Sequence, residues 1–125
     1  MSGIQIFAAP VGRVLIAIMF VMSGLSKISG YAGTQGYMES VGVPGILLPL
    51  VIVLEVAGGI AIIVGWQTRL AALALAGFCV ISAVMFHANF GDQIQMIMFM
   101  KNIAIAGGFL FLVANGPGAY ALDNR

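Results

Sequence analysis

Apolar residues occur in four long blocks along the chain, and short polar stretches separate them. The blocks cover residues 4–26, 45–66, 70–89 and 94–114, and each is close to the roughly 20 residues that a membrane-spanning helix needs. None shows the apolar–polar alternation that is typical of strands in a membrane barrel. The pattern therefore predicts an all-α fold, an integral membrane four-helix bundle formed by a single domain over residues 1–125.

The connection between the first two blocks is long and polar, and it covers residues 27–44. It contains tyrosines suited to the headgroup level of a membrane, so we expect a short helix at the membrane surface there. Trp66 and Arg69 close the second block, and we expect both at the interface. Lys27 directly follows the first block, and we expect its ammonium group to extend to the headgroups.

Composition supports a membrane location and excludes several function classes. Hydrophobic residues make up 62% of the chain and charged residues only 7%, whereas about a quarter of the residues in a soluble domain are charged. The net charge is +1 and no basic run is present, so nucleic-acid binding is not expected. The single cysteine, Cys79, excludes a disulfide within the chain and a CxxC redox pair.

Charge placement also bears on orientation. Four spans put both termini on one side of the membrane, and Arg69 and Arg125 fall on that side, with Lys27 opposite. Because lysine and arginine are enriched in cytoplasmic loops, we expect both termini in the cytoplasm.

Ionisable residues within the spans are the candidate site residues, because a charge inside a bilayer is costly unless it is paired or hydrated. Glu55 lies near the middle of the second span, with Arg13 and Lys101 as its candidate cationic partners. His87 is near the end of the third span, and Asn102 follows Lys101. Two interpretations of Glu55 are compatible with the sequence: it forms a structural ion pair, or it belongs to a functional site.

The charge balance among these groups points to a class of ligand. Arg13, Lys27 and Lys101 outnumber the one carboxylate, Glu55, so an anionic or carbonyl-bearing ligand such as a quinone head would be favoured. A partner subunit or a lipid phosphate could supply the same balance. His87 is the only histidine, so we expect no metal site and no intrinsic cofactor, with quinone as the candidate ligand.

The order of these residues resembles the DoxX family of small bacterial membrane proteins. The matching motifs are GRVL at residues 12–15, FVMSGLSK at 20–27, EVAGG at 55–59, GWQTR at 65–69, His87, and KNIAIAGG at 101–108. The resemblance implies a four-helix protein of the bacterial inner membrane, related to a subunit of a thiosulfate:quinone oxidoreductase and to membrane thiol-redox assemblies. It also implies one shared polar site formed by Arg13, Lys27, Glu55, His87, Lys101 and Asn102, without assigning a reaction.

Three functions are compatible with these observations. In the first, the chain is a redox-associated subunit linked to quinone or thiol chemistry; Glu55 and His87 exchange protons, while Arg13, Lys101 and Asn102 orient the ligand. In the second, it is an accessory subunit that packs on a larger membrane protein complex. The third is a small transporter or channel formed by a homo-oligomer. A partner-dependent subunit is favoured over a stand-alone enzyme, because no dithiol or cofactor site is recognisable.

Overall fold

The computed structural model describes residues 3–86 and 91–124. Five α-helices account for most of them: α1 (Gly3–Ser29), α2 (Tyr31–Ser40), α3 (Leu48–Val64), α4 (Thr68–Phe86) and α5 (Gln93–Asn115). Short 3₁₀ turns cover Gly45–Leu47 and Leu122–Asn124. The predicted all-α fold is confirmed, since the described part of the chain contains no strand.

Within residues 3–86 and 91–124, four helices are long and apolar enough to cross a membrane. They are Gly3–Ser29, Gly45–Val64, Thr68–Phe86 and Gln93–Asn115. The helix α2 is too short to span and occupies the polar connection, where a short helix was expected. The chain is therefore a membrane protein whose spanning helices contact the lipid bilayer.

Local sequence explains the end of α3 and the start of α5. At the end of α3, Gly65 adopts the left-handed conformation (φ 74°), and the Trp66 N–H donates to the Ala61 carbonyl. At the start of α5, the Asp92 carboxylate accepts hydrogen bonds from the N–H groups of Ile94 and Gln95. Asn89, the predicted end of the third span, lies outside the described residues.

The first helix begins where it was predicted, within one residue, and extends past its predicted end. It continues to Ser29, three residues beyond the predicted end at Ser26. Pro10 lies inside α1, beyond its first turn. Lys27 therefore belongs to the last turn of the helix and not to the connection.

The helices form a bundle in which α1 packs along α3, α3 along α4, and α4 along α5. The bundle is completed where α1 meets α5, through the rings of Phe20 and Phe109, whose centroids are 5.4 Å apart. The buried core lies between the four spans and comprises Ala17, Phe20, Ile62, Ala72, Leu75, Ala76, Cys79, Ala106 and Phe109.

Close contact between α1 and α3 positions the polar groups described below. A β-carbon at Gly24 of α1 would lie 3.3 Å from the Glu55 β-carbon and would clash with Val56. Because Gly24 has no side chain, the backbone of α1 approaches α3 directly at the level of Glu55. At the opposite end of the bundle, Gly118 lies against Ala9, so the chain after α5 packs beside the first half of α1.

Candidate functional site

Polar side chains form two separate centres in the bundle. Glu55 lies at one, and Arg13 lies beside Gly65 at the other. Glu55 and Gly65 are ten residues apart along the chain, which corresponds to roughly 15 Å of helix length. The structure therefore separates Arg13 from Glu55, although the family resemblance implied one shared site.

The first centre is an ion pair between Glu55 and Lys27. Lys27 Nζ lies 2.6 Å from Glu55 Oε1, and the two side chains are 25% and 3% exposed. Lys27 Nζ also donates a hydrogen bond of 2.6 Å to Ser23 Oγ, one helical turn earlier. Glu55 Oε1 contacts the ammonium group of Lys27 but accepts no well-directed hydrogen bond in the described chain. This oxygen can therefore still accept a hydrogen bond.

The partner of Glu55 differs from both sequence-based candidates, which were Arg13 and Lys101. Side chains on a helix tilt toward its N-terminus, and α1 begins at the far end of the bundle, so Lys27 points inward. Lys27 was expected to extend to the headgroups, but its ammonium group contacts Glu55. The close approach at Gly24 brings the carboxylate within reach.

The other predicted site residues lie apart from this pair. Lys101 is exposed on α5, and Asn102 is half-buried on the helix face of Ala106 and Phe109. Within the described residues, neither Lys101 nor Arg13 forms an ion pair with Glu55. His87 lies outside the described residues, so its predicted role in proton exchange stays a prediction.

Trp66 and Arg69 lie at the end of the bundle where α3 meets α4. Both side chains are exposed. Their expected place at the membrane interface stays a prediction, as does the cytoplasmic location of the end that carries them. In the described chain, no three His, Cys, Asp or Glu side chains come together as potential metal ligands.

The second centre is formed around Arg13, whose side chain is only 2% exposed. Arg13 Nη2 donates hydrogen bonds of 2.8 Å to the carbonyls of both Ala119 and Tyr120. Nε and Nη1 are buried and find no hydrogen-bond partner in the described chain. Arg13 thus holds the chain after α5 against the bundle and still has unused donors.

The segment formed by residues 116–124, here called the C-terminal segment, is also tied to the start of α4. The Asp123 carboxylate accepts hydrogen bonds from the N–H groups of Gln67 (2.7 Å) and Thr68 (2.9 Å), and its own N–H donates to the Gly65 carbonyl (2.8 Å). Asp123 therefore caps α4 from a distant part of the chain. Sequence reasoning missed Ser23, Gly65 and Asp123 as participants.

Acidification is expected to release the C-terminal segment. The hydrogen bond from the Thr68 N–H, together with those from Gln67 and the charge of Arg13, holds the pKa of Asp123 below its ordinary value of 3.8. Ionised Asp123 thus stabilises the folded segment above the unfolded pKa, and this contribution disappears as pH falls through the lowered folded pKa. Protection of residues 116–124 from hydrogen exchange, measured relative to the intrinsic exchange rate at each pH, should therefore fall only in that acidic range.

The variant Asp123→Ala should show the same loss of protection at neutral pH, because the cap is then absent at every pH. Asp92→Ala is the matched control, since Asp92 caps α5 and does not touch the C-terminal segment. Equal exchange in Asp123→Ala and in the unsubstituted chain would show that the cap does not hold the segment.

A cleft of about 720 Å³ lies between α1 and α5 and reaches Arg13. Its walls are small or apolar along both helices, and polar side chains line its end toward the C-terminal segment. The residues lining it include Ala8, Gly12, Ile16, Gly108, Phe111 and Leu112, with Gln5, Arg13 and Asn115 as the polar ones. A second cavity of about 600 Å³ lies beside it, between the start of α4 and the C-terminal segment.

Comparison with known proteins assigns the fold to a family. The DoxX family model matches residues 8–88, from within α1 past the end of α4. The chain belongs to the DoxX family. The matched segment of this DoxX protein contains Arg13, Lys27 and Glu55, whereas Lys101 and Asn102 lie beyond it.

Relatives of this DoxX protein include two proteins from Escherichia coli (strain K12). It is 55% identical over 113 residues to the inner membrane protein YqjF, covering 90% of this chain and 87% of YqjF. It is 38% identical over 122 residues to the inner membrane protein YphA, covering 92% and 87%. A shorter match, 34% identical over 58 residues, joins 46% of this chain to 43% of CatD of Bacillus subtilis (strain 168), which is provisionally named an oxidoreductase. No solved structure matches the chain.

Proposed function

We propose that this DoxX protein is a subunit of a redox system of the bacterial inner membrane, linked to quinone or thiol chemistry. In this proposal the Lys27–Glu55 pair exchanges protons inside the membrane. Two relatives support the membrane location, since YqjF and YphA are named inner membrane proteins. A third relative supports the redox link, since CatD, which matches 46% of this chain, is provisionally named an oxidoreductase.

The observation that carries the proposal is a buried carboxylate in direct contact with an ammonium group. An ionisable residue inside a membrane protein is costly to keep, so it points to function when its partner is also ionisable. In the proposed step a proton moves from Lys27 Nζ to Glu55 Oε1, Glu55 gives that proton to the reduced acceptor, and the neutral amine of Lys27 then takes up a proton from water. Ser23 Oγ then remains as a hydrogen-bond partner for the amine.

Proton exchange is what a redox subunit of this size can contribute. Reduction of a quinone or of a disulfide takes up one proton for each electron, so a proton source near the reacting group raises the rate. The chain has one cysteine and therefore no dithiol of its own. The proposal accordingly assigns electron transfer to a partner subunit and proton transfer to Lys27 and Glu55.

Replacing Glu55 tests the proposal. Membranes from the source organism, with its own copy deleted, would carry either the wild-type chain or Glu55→Gln, and reduction of the quinone pool would be followed with a dithiol or with thiosulfate. We expect the wild-type chain to raise the rate of quinone reduction with one of these reductants. In Glu55→Gln the part of the rate that depends on the chain should be lower by about a hundredfold or more, because general acid–base catalysis usually contributes at least that factor. Glu39→Gln, an exposed glutamate on α2, is the matched control.

A second function, that of an accessory subunit, is favoured by the way the same pair joins α1 to α3. It predicts that Glu55→Gln lowers the thermal stability of the protein or of its complex and leaves the rate per folded molecule unchanged. That result would contradict proton exchange at Glu55. Measuring the amount of folded protein in the same membranes separates the two outcomes.

A further inference from the structure

The side chain of Lys27 has two competing positions. Lys27 lies in the last turn of α1, two residues before the end of the helix at Ser29, and a lysine so near the end of a spanning helix commonly extends to the headgroups. In this structure its ammonium group lies inside the bundle, against Glu55. The side chain is not enclosed by protein, since 25% of it is exposed, so the outward position is also open to it. The inward position therefore requires specific contacts.

Ser23 supplies one of these contacts. Lys27 Nζ donates a hydrogen bond of 2.6 Å to Ser23 Oγ, and the two residues are four positions apart, so they are neighbours on one face of α1. Because α1 starts at the opposite end of the bundle, at Gly3, Ser23 lies deeper in the bundle than Lys27. The hydrogen bond therefore draws the lysine side chain inward, and it is lost when that side chain extends to the headgroups.

Ser23 also provides the directional restraint that the carboxylate does not provide. Lys27 Nζ lies 2.6 Å from Ser23 Oγ and 2.6 Å from Glu55 Oε1, but Oε1 accepts no well-directed hydrogen bond in the described chain. A lysine ammonium group acts as a point charge on a flexible stem, so the ion pair alone leaves the direction of approach loosely defined. The hydrogen bond to a group on its own helix fixes that direction.

We propose that Ser23 is a positioning residue, which holds the ammonium group of Lys27 inside the bundle and against Glu55 by accepting its hydrogen bond. Without the hydroxyl group of Ser23, the ammonium group spends more time at the headgroups and less time in contact with the carboxylate. The consequence for the rate rests on the proposed proton exchange, because a proton passes between Nζ and Oε1 only while the two atoms are in contact. The position of Lys27 itself does not rest on that proposal.

Three substitutions on α1 isolate the hydroxyl group of Ser23. Ser23→Ala removes it and leaves the helix intact, because alanine has the highest helix propensity of all residues. Ser23→Thr keeps a hydroxyl group at the same position. Ser26→Ala is the matched control, because Ser26 directly precedes Lys27 and is exposed, whereas the hydrogen bond of Lys27 goes to Ser23.

Chemical labelling reads the position of Lys27 without any redox reaction. The full chain in phosphatidylcholine nanodiscs would be treated with a water-soluble amine-reactive ester, and mass spectrometry would measure the rate at which each lysine is labelled. The chain has two lysines, so Lys101, which is exposed on α5, serves as the internal reference. Relative to Lys101, we expect Lys27 to be labelled about tenfold faster in Ser23→Ala, because a hydrogen bond to a charged group is lost. Ser23→Thr and Ser26→Ala should match the wild type.

Equal labelling of Lys27 in Ser23→Ala and in the wild type would overturn the positioning role, and so would fast labelling that Ser23→Thr does not reverse. In the quinone-reduction assay, the part of the rate that depends on the chain should fall about tenfold in Ser23→Ala and recover in Ser23→Thr. A loss of rate in Glu55→Gln with none in Ser23→Ala would keep proton exchange and remove Ser23 from it. The expected labelling without any effect of Glu55→Gln on the rate would refute proton exchange and support the positioning of Lys27 by Ser23.

Discussion

Lys27→Met is expected to destabilise the bundle by about 3–5 kcal/mol, the usual cost of removing one partner from a buried ion pair. The substitution keeps most of the side-chain volume but leaves the Glu55 carboxylate, which is almost completely buried, without its counter-charge. Denaturation in mixed micelles with increasing dodecyl sulfate, followed by circular dichroism, would measure the change in unfolding free energy.

Two further variants isolate the pair. Lys101→Met removes a lysine that is exposed on α5, and it should change the unfolding free energy by less than about 0.5 kcal/mol. The double variant Lys27→Met/Glu55→Met removes both charges and should recover to within about 1 kcal/mol of the wild type, because apolar residues of similar volume can replace a buried pair at little cost. If Lys27→Met is no less stable than Lys101→Met, the contact with Glu55 does not stabilise the fold.

The four spanning helices could be predicted because a bilayer requires each span to be a long apolar helix. The end of α1 was less predictable. Lys27 has the charge of a residue outside the membrane, so the predicted span stopped at Ser26, yet the helix continues to Ser29. Lys27 can lie inside the helix because Glu55 of α3 neutralises it, and that neutralisation is a property of two packed helices and not of either one.

The partner of Glu55 could not be chosen from depth in the membrane alone. Depth made Arg13 and Lys101 candidates, but a side-chain contact also requires that the two helix faces meet. Only the packing of α1 on α3 shows that Lys27 faces Glu55. One local signal was available, since Ser23 precedes Lys27 by four residues, the spacing at which side chains on a helix are neighbours.

The centre around Arg13 joins parts of the chain that are far apart in sequence. Arg13 and the Tyr120 carbonyl are 107 positions apart, and Asp123 is 55 positions from Thr68. Residues 116–118, which read Gly-Pro-Gly, do predict that α5 ends. They carry no information on where the following residues pack, so the C-terminal segment and its two attachments emerge only from the tertiary structure.

Gly65→Ala is expected to destabilise the fold by about 3 kcal/mol, from two sources that add. Gly65 has a φ of 74°, and an L-residue in this left-handed conformation costs about 1–2 kcal/mol. The added methyl group would also overlap Arg13 Nη1 and Ala121, and crowding of this kind costs a further ~1–3 kcal/mol. Both Arg13 and the C-terminal segment must then move.

Gly42→Ala separates these two sources. Gly42 has a similar φ of 86°, but a β-carbon there would meet nothing within 4 Å, so this variant should show only the backbone cost of about 1–2 kcal/mol. The difference between the two variants in unfolding free energy therefore measures how tightly Arg13 and Ala121 pack on Gly65. Faster hydrogen exchange of residues 116–124 in Gly65→Ala alone would place the crowding at the C-terminal segment. Equal destabilisation by the two substitutions would mean that Arg13 moves aside at no cost. In that case the close contact with Gly65 does not hold the guanidinium in place.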